Sequence, residues 1–366
     1  MNHFRNFFAT VILFSTLFAG QDLTSAKIRI NENDLKGAES FLLKALDHPK
    51  DKWEAAFHLG DKVYPNQKEW GLVKKYMDIA LTSPKSLKIR PSKNDRKVAM
   101  NTAVENSLIN SYNIIYQDAS GYLSKLNSFQ TEKERFELIN EAINLCIVGI
   151  NLSSNQPGLY ALASIYSSVK GDKEATNKYI NQALAITDLT KETKIAILMS
   201  GGQSFVRIGE FNEALNFYNQ ALKINPKEPS VLESLGSLYL AQSKYDLALQ
   251  YLNEALDIST DDKKRVDLFF NRGLVYLKMK NFDEAEYNFE EAYFLAPEDL
   301  EALLGLAQAL EEAERWRKAR NYYMELIDQN PNDPQYYYGV YRTFFGEGRL
   351  EDAQEYLNKA TALKSN

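Results

Sequence analysis

The residues able to do chemistry are few, and they are spaced badly for it. Three histidines occur in the 366 residues. His48 and His58 stand ten apart, and no Asp or Glu completes a recognised zinc spacing with them. Cys146 is the single cysteine and lies in the apolar run INLCIVGI, which predicts a buried packing thiol rather than a nucleophile. One cysteine excludes an intramolecular disulfide and any cysteine-based metal site. Gly201–Gly202 falls inside a helical pattern and opens no phosphate loop. Acidic pairs such as Glu311–Glu312 carry nothing that separates a catalytic pair from a solvated face. The sequence therefore predicts no catalytic residue, no metal site and no cofactor.

Charge is more informative. Residues 85–97 (KSLKIRPSKNDRK) set Lys85, Lys88, Arg90, Lys93, Arg96 and Lys97 against Asp95 alone. Such a cluster suits an anionic lipid, a polysaccharide or an acidic protein, the plainer reading being a solvated loop that leads into a helix. The whole chain has a formal charge of −6, which argues against general nucleic-acid binding.

The elements that must position these residues begin with a targeting segment. His3 and Arg5 precede the apolar run Phe7–Gly20 (FFATVILFSTLFAG), which is too short to span a bilayer and fits a signal-peptide core. We expect residues 1–20 to be a signal peptide, cut after Ala19 or Gly20, and the protein to be exported, periplasmic or secreted. No second apolar stretch approaches spanning length. At 45% apolar and 25% charged, the remainder has the composition of a folded chain.

That remainder is repetitive. Ala175, Ala214, Ala248, Ala285, Ala319 and Ala353 recur in steps of 39, 34, 37, 34 and 34. Short insertions at Thr190–Lys194 and Lys263–Arg265 account for the longer steps. Each unit holds two apolar runs at helical spacing around a polar or glycine turn. Small residues recur because two helices approach closely only where side chains are short. In the unit from Pro229, Gly236 is expected to face Ala248, and Tyr239 and Leu252 to fill the wider gaps.

The pattern resembles the tetratricopeptide repeat, a helix–turn–helix unit of about 34 residues. The family's small residue appears as Gly202, Gly236, Gly273 and Ala307, and its large residue three places on as Phe205, Tyr239, Tyr276 and Leu310. Its alanine at the second helix is Ala214, Ala248, Ala285, Ala319 and Ala353, followed four later by Tyr218, Leu252, Phe289, Tyr323 and Leu357. Pro226, Pro297 and Pro331 close units. Tyr341 stands where a small residue is expected, predicting a wider crossing in the last unit.

The resemblance implies an all-α fold, a right-handed superhelix of about eight helix pairs plus one expanded pair. The array proper covers 156–366. Residues 21–86 read as degenerate units, one with Ala26, Ala38, Leu42 and Ala45, the other over 53–86 with Leu59, Gly60, Tyr76, Ile79 and Pro84. Residues 87–155 read as an expanded, irregular hairpin, with helices over 94–120 and 131–151 joined by Gly121–Gln130.

In this family the first helices line a concave groove. The matching positions here are Tyr160, Ser164, Met199, Gln203, Arg207, Phe270, Asn271, Leu274, Lys278, Leu304, Gln308, Glu311, Tyr338 and Arg342. Their mix of apolar anchors and polar groups suits a peptide or helix of a partner protein. The carboxylate clamp of chaperone-binding relatives maps onto Met199, Gln203, Ser234, Asp267 and Asn271, where two clamp cations are missing. In the run YYYGVYRTFF, Tyr337, Val340, Tyr341 and Phe344 are expected to face the core. Tyr336, Tyr338 and Phe345 then point elsewhere, open to a partner or a second copy. The sequence thus predicts a non-enzymatic, exported protein-binding scaffold. The alternatives are an assembly factor of envelope or secretion machinery, or an accessory subunit of a carbohydrate- or lipid-handling complex.

Overall fold

Eighteen helices and one two-residue ladder form the regular structure among the described residues of the computed structural model, which are 21–364 without 127, 129 and 130. The expected signal peptide lies outside them. Two compact units meet at 190/191, inside the array expected over 156–366 and at the insertion Thr190–Lys194.

The first unit contains α1 (Gln21–Asn31), α2 (Leu35–Ala45), α3 (Lys52–His58) continued by one π-helical turn (Leu59–Val63), and α4 (Trp70–Leu81). A ladder of β1 (Lys88–Ile89) and β2 (Val98–Ala99) follows, then α5 (Met100–Lys125), α6 (Glu132–Leu152), α7 (Pro157–Val169) and α8 (Lys173–Leu184). The second unit holds α9 (Lys191–Ile208), α10 (Phe211–Ile224), α11 (Pro229–Ala241), α12 (Tyr245–Ile258) and α13 (Asp262–Lys278). It continues with α14 (Phe282–Leu295), α15 (Leu300–Glu312), α16 (Trp316–Gln329), α17 (Pro334–Gly346) and α18 (Leu350–Lys364). The fold is all-α, a series of helix–turn–helix repeats.

One stripe recurs on the second helix of most pairs. A small residue in the first turn is followed by a large one four later and a small one three after that. Ala214–Tyr218–Ala221, Ala248–Leu252–Ala255 and Ala285–Phe289–Ala292 are all at most 2% exposed. The spacing keeps all three on one helical face. The stripe shows that Thr176, not Ala175, is the equivalent residue in α8. Thr176 is fully buried and donates its hydroxyl to the Asp172 carbonyl at 2.7 Å, while Ala175 is only half-buried. The same slip affects α4, where Val73, Met77 and Ala80 are fully buried and Ile79 is half-buried. Gly60 packs on Met77 there, as a Cβ on it would lie 3.0 Å from the Met77 methyl.

The turns are as regular as the stripes. Asn33, Lys68, Gly171, Gly209, Ser243, Lys280, Glu314 and Gly348 all have positive φ, and each lies two residues before a second helix. The following N–H reaches back across the turn, as Lys244 N–H does to the Tyr239 carbonyl at 2.9 Å. This left-handed cap ends the first helix and satisfies its last carbonyls. The next residue begins the second helix, and Asp34, Asp172 and Asn281 cap it with their side chains.

Residues 87–155 differ from expectation at their start. The first long helix begins at Met100 rather than near Asn94, because residues 88–99 form an antiparallel hairpin registering Lys88 with Ala99 and Ile89 with Val98. Ile89 is the buried anchor of that hairpin. Gly121 lies within α5, so the connecting loop is shorter than Gly121–Gln130. α6 carries the stripe in Ala142, Cys146 and Gly149, so the expanded hairpin packs by the common rule.

The last pair also departs from expectation. Gly339, not Tyr341, is the residue of closest approach, since a Cβ on it would fall 2.4 Å from Tyr323 Cδ1. The buried face of α17 is Tyr336, Gly339, Val340, Thr343 and Phe344. Tyr336 is therefore a core residue, while Tyr337 and Tyr341 are half-buried and Phe345 is exposed.

Replacing Ala248, fully buried at the crossing with Gly236, by leucine should cost about 1–3 kcal/mol through overpacking. Urea denaturation of the variant should show a lowered midpoint at unchanged slope. An unchanged midpoint would refute the role of the stripe.

Candidate functional site

The first helices α9, α11, α13 and α15 touch one another in sequence within the second unit, so their uncovered faces form a common wall. Between α9 and α11 this wall opens into a cleft of ≈640 Å³. Met199, Gln203, Val206 and Arg207 line it from α9, and Ser230, Glu233, Ser234, Ser237 and Leu238 from α11. Tyr218 of the α10 stripe closes its floor, where burial pushes the phenol up to about 12. The floor is thus an uncharged phenol, with Ser230, Glu233, Ser234 and Ser237 making the rim polar.

The charged residues that line the cleft are Arg207 and Glu233. Burial first, then the nearby Asp267 carboxylate, raises Glu233 to about 7, against a smaller opposing pull from Lys264. Asp267 on α13 is raised in turn by partial desolvation and by Asp299. Asn271 Nδ2 donates to Glu233 Oε1 at 3.3 Å. The positions that resemble a carboxylate clamp therefore come together with the opposite sign. Met199, Gln203 and Ser234 line the cleft, Asn271 bonds Glu233, and Asp267 adds a second acid.

The other expected groove residues divide into two groups. Phe270, Leu274 and Leu304 are half-buried and pack against the core, with Phe270 edge-on to Phe289 at 5.6 Å. Lys278 is exposed, and Gln308 and Tyr338 are half-buried. Glu311 and Arg342 pair with each other, Arg342 Nη2 donating to Glu311 Oε2 at 2.9 Å. The Tyr323 hydroxyl donates to the same carboxylate at 2.6 Å. Tyr160 and Ser164 belong to the first unit and are core residues. Tyr160 is 7% exposed with its hydroxyl donating to the Ser154 carbonyl at 3.2 Å, and Ser164 is fully buried. They are aligned with the groove positions in sequence, but α7 turns that face inward. Glu233, Ser230 and Ser237 escaped the sequence reading. The signal is the clamp position Ser234, since Ser230 and Ser237 lie one turn from it and Glu233 one turn from Ser230 and Ser237.

The chemically capable residues stay apart. Cys146 is fully buried, and burial pushes its thiol up to about 12, far from a reactive thiolate. His48 Nε2 lies 3.8 Å from Asp22, and His58 is buried beside Glu54. Among the described residues no group of three His, Cys, Asp or Glu could hold a metal ion. No helix among them is long and apolar enough to cross a membrane.

Comparison with known proteins adds the family. Tetratricopeptide repeat models match residues 276–340, 228–298 and 202–243, all within the second unit. A tetratricopeptide repeat protein 21 homolog of Caenorhabditis elegans is 26% identical over 125 residues, 34% of this chain and 9% of its own length. A DnaJ homolog subfamily C member 7 homolog of Schizosaccharomyces pombe is 26% identical over 197 residues, 50% of this chain and 40% of its own length. The chain thus spans less than half of these relatives. Among solved structures, MamA from Desulfovibrio magneticus RS-1 is 20% identical, with TM-score 0.43, covering 47% of this chain and 96% of that one.

Glu233 gives the site a pH signature. Its folded pKa lies above the ordinary 4.5, so the proton is held more tightly in the folded chain. The stabilisation is complete below that ordinary value and is lost as pH rises through about 7. Urea midpoints of the wild type should therefore fall between pH 5 and pH 8 (roughly the titration window) more than those of Glu233→Gln. Parallel curves would refute the shift.

Proposed function

We propose that this tetratricopeptide repeat protein is a non-catalytic scaffold that holds peptide or helical segments of partner proteins against the first helices of its second unit. The observation that carries the reading is the ≈640 Å³ cleft between α9 and α11, with an uncharged floor and an acidic flank. A floor made by Tyr218, Met199 and Leu238 favours an inserted apolar side chain. The acids Glu233 and Asp267 favour a basic side chain beside it. The complementary partner is therefore a segment with a Lys or Arg next to an apolar anchor.

A photo-crosslinking amino acid tests this directly. Placed at Gln203 in the cleft, it should capture a partner segment rich in basic and apolar residues. Placed at Asn219, exposed on α10, it should not. Equal capture at both positions would reject the groove. The identity of the captured protein separates a general scaffold from an envelope or secretion assembly factor. Recovery of glycan or lipid alone would favour the accessory-subunit alternative.

The same reading places the protein outside the cytoplasm, supported by the basic start and the apolar run Phe7–Gly20. N-terminal sequencing of the mature chain should find it beginning after Ala19 or Gly20. A mature chain that retains Met1 would reject export by this route.

A further inference from the structure

The first unit contains a second, smaller cleft of opposite sign. It lies between α1, the π-helical turn and the turn joining β1 to β2, and its volume is ≈240 Å³. Its polar lining is Lys27, Asn31, His58, Lys62, Arg90, Ser92 and Lys93. Ile30 and Pro91 supply an apolar wall. Two cations of the basic run 85–97 thus line this cleft. Ile89, buried at the end of β1, fixes the hairpin so that Arg90 and Lys93 face the cleft.

We propose that this cleft binds a phosphate group, as the free ion or on a small molecule. Three observations carry the proposal. The first is charge. Lys27, Lys62, Arg90 and Lys93 bring four positive charges. Lys27 Nζ donates to Glu54 Oε1 at 2.7 Å, and Lys62 Nζ lies 2.9 Å from Asp61 Oδ2. Two charges are thereby balanced and two remain, on Arg90 and Lys93, which matches a phosphate dianion.

The second observation is an unmet polar group. His58 is 4% exposed and lines the cleft, yet neither ring nitrogen has a hydrogen-bond partner. Its Nε2 is 3.9 Å from Glu54 Oε1, near enough for His58, against the opposing effect of burial, to help hold that carboxyl low but longer than a formed hydrogen bond. A buried ring left without partners is costly, and an oxygen of a bound phosphate supplies one. The third is size. At ≈240 Å³ the cleft is smaller than the pockets of drug-sized ligands, about 300–1,000 Å³, so it accepts a phosphate with a short carrier and not a helix. This site is independent of the groove in the second unit, and either proposal can fail alone.

Isothermal titration calorimetry on the full chain tests the proposal with inorganic phosphate, glycerol 3-phosphate and acetate. Both phosphate probes should bind with saturable heat, at least tenfold more tightly than acetate. Tighter binding of inorganic phosphate assigns the free ion, and tighter binding of glycerol 3-phosphate assigns a phosphate monoester. The double variant Arg90→Ala/Lys93→Ala should lose at least tenfold in affinity at unchanged melting temperature, because both side chains are exposed. His58→Asn, at a buried position, should lose at least threefold, and the double variant keeps the test decisive if this one fails to fold. No saturable heat from either phosphate probe would overturn the proposal. So would a double variant within twofold of wild type, or binding confined to phosphatidic acid vesicles.

Discussion

Phe289 occupies a space that exists only because the helices on either side of it present glycine. A Cβ on Gly273 of α13 would lie 2.9 Å from its ring, and one on Gly305 of α15 would lie 2.6 Å from it. Protein interiors leave no slack for such an overlap, so the ring fixes the separation of two first helices at once. The same relation holds wherever the stripe occurs: a large residue on a second helix, small residues beside it, and close approach by a first helix. A unit on its own would expose that face, and its neighbour covers it. The stripe therefore sets how successive hairpins pack within each unit.

The turn makes the stripe usable. Outside the expanded hairpin, a left-handed residue two positions before the second helix reverses the chain in a constant number of residues, so the stripe meets the preceding helix in one register. Glycine takes this conformation freely and asparagine, as at Asn33, readily, but Lys68, Ser243, Lys280 and Glu314 take it against the preference of their side chains. Packing across the hairpin outweighs that local cost. The helices themselves are conventional, with Pro157, Pro229 and Pro334 in the first turn and Asp or Asn caps.

Much of this was legible because the stripe has a fixed period and small residues are easy to see. Ala38, Leu42 and Ala45 are all fully buried, as their spacing foretold. The errors arose where composition hid the register. Thr176 does the work of an alanine because its hydroxyl is absorbed by the helix backbone, so Ala175 beside it drew attention falsely. Tyr336 and Tyr337 are one residue apart and chemically identical, and only packing decides which of them enters the core. The ladder at 88–99 was invisible because two residues per strand show no alternation. Glu233 was missed because a carboxylate on a polar helix face looks like any solvated acid until Asp267 and Asn271 are brought beside it.

The packing rule also explains why binding chemistry collects where it does. Stripe positions exclude polar groups unless the helix backbone takes them up, as it does the Thr176 hydroxyl, since each must fit a crossing with no room for hydration. The faces left over are free of the stripe's size limit, so charged residues collect there, though a desolvated one such as Glu233 is costly to ionise. In the second unit the leftover face of the first helices became acidic through Glu233 and Asp267. In the first unit the inserted hairpin, which belongs to no repeat, set Arg90 and Lys93 beside a buried histidine. The formal charge of −6 thus conceals two local surfaces of opposite sign. Each is built from residues outside the stripe.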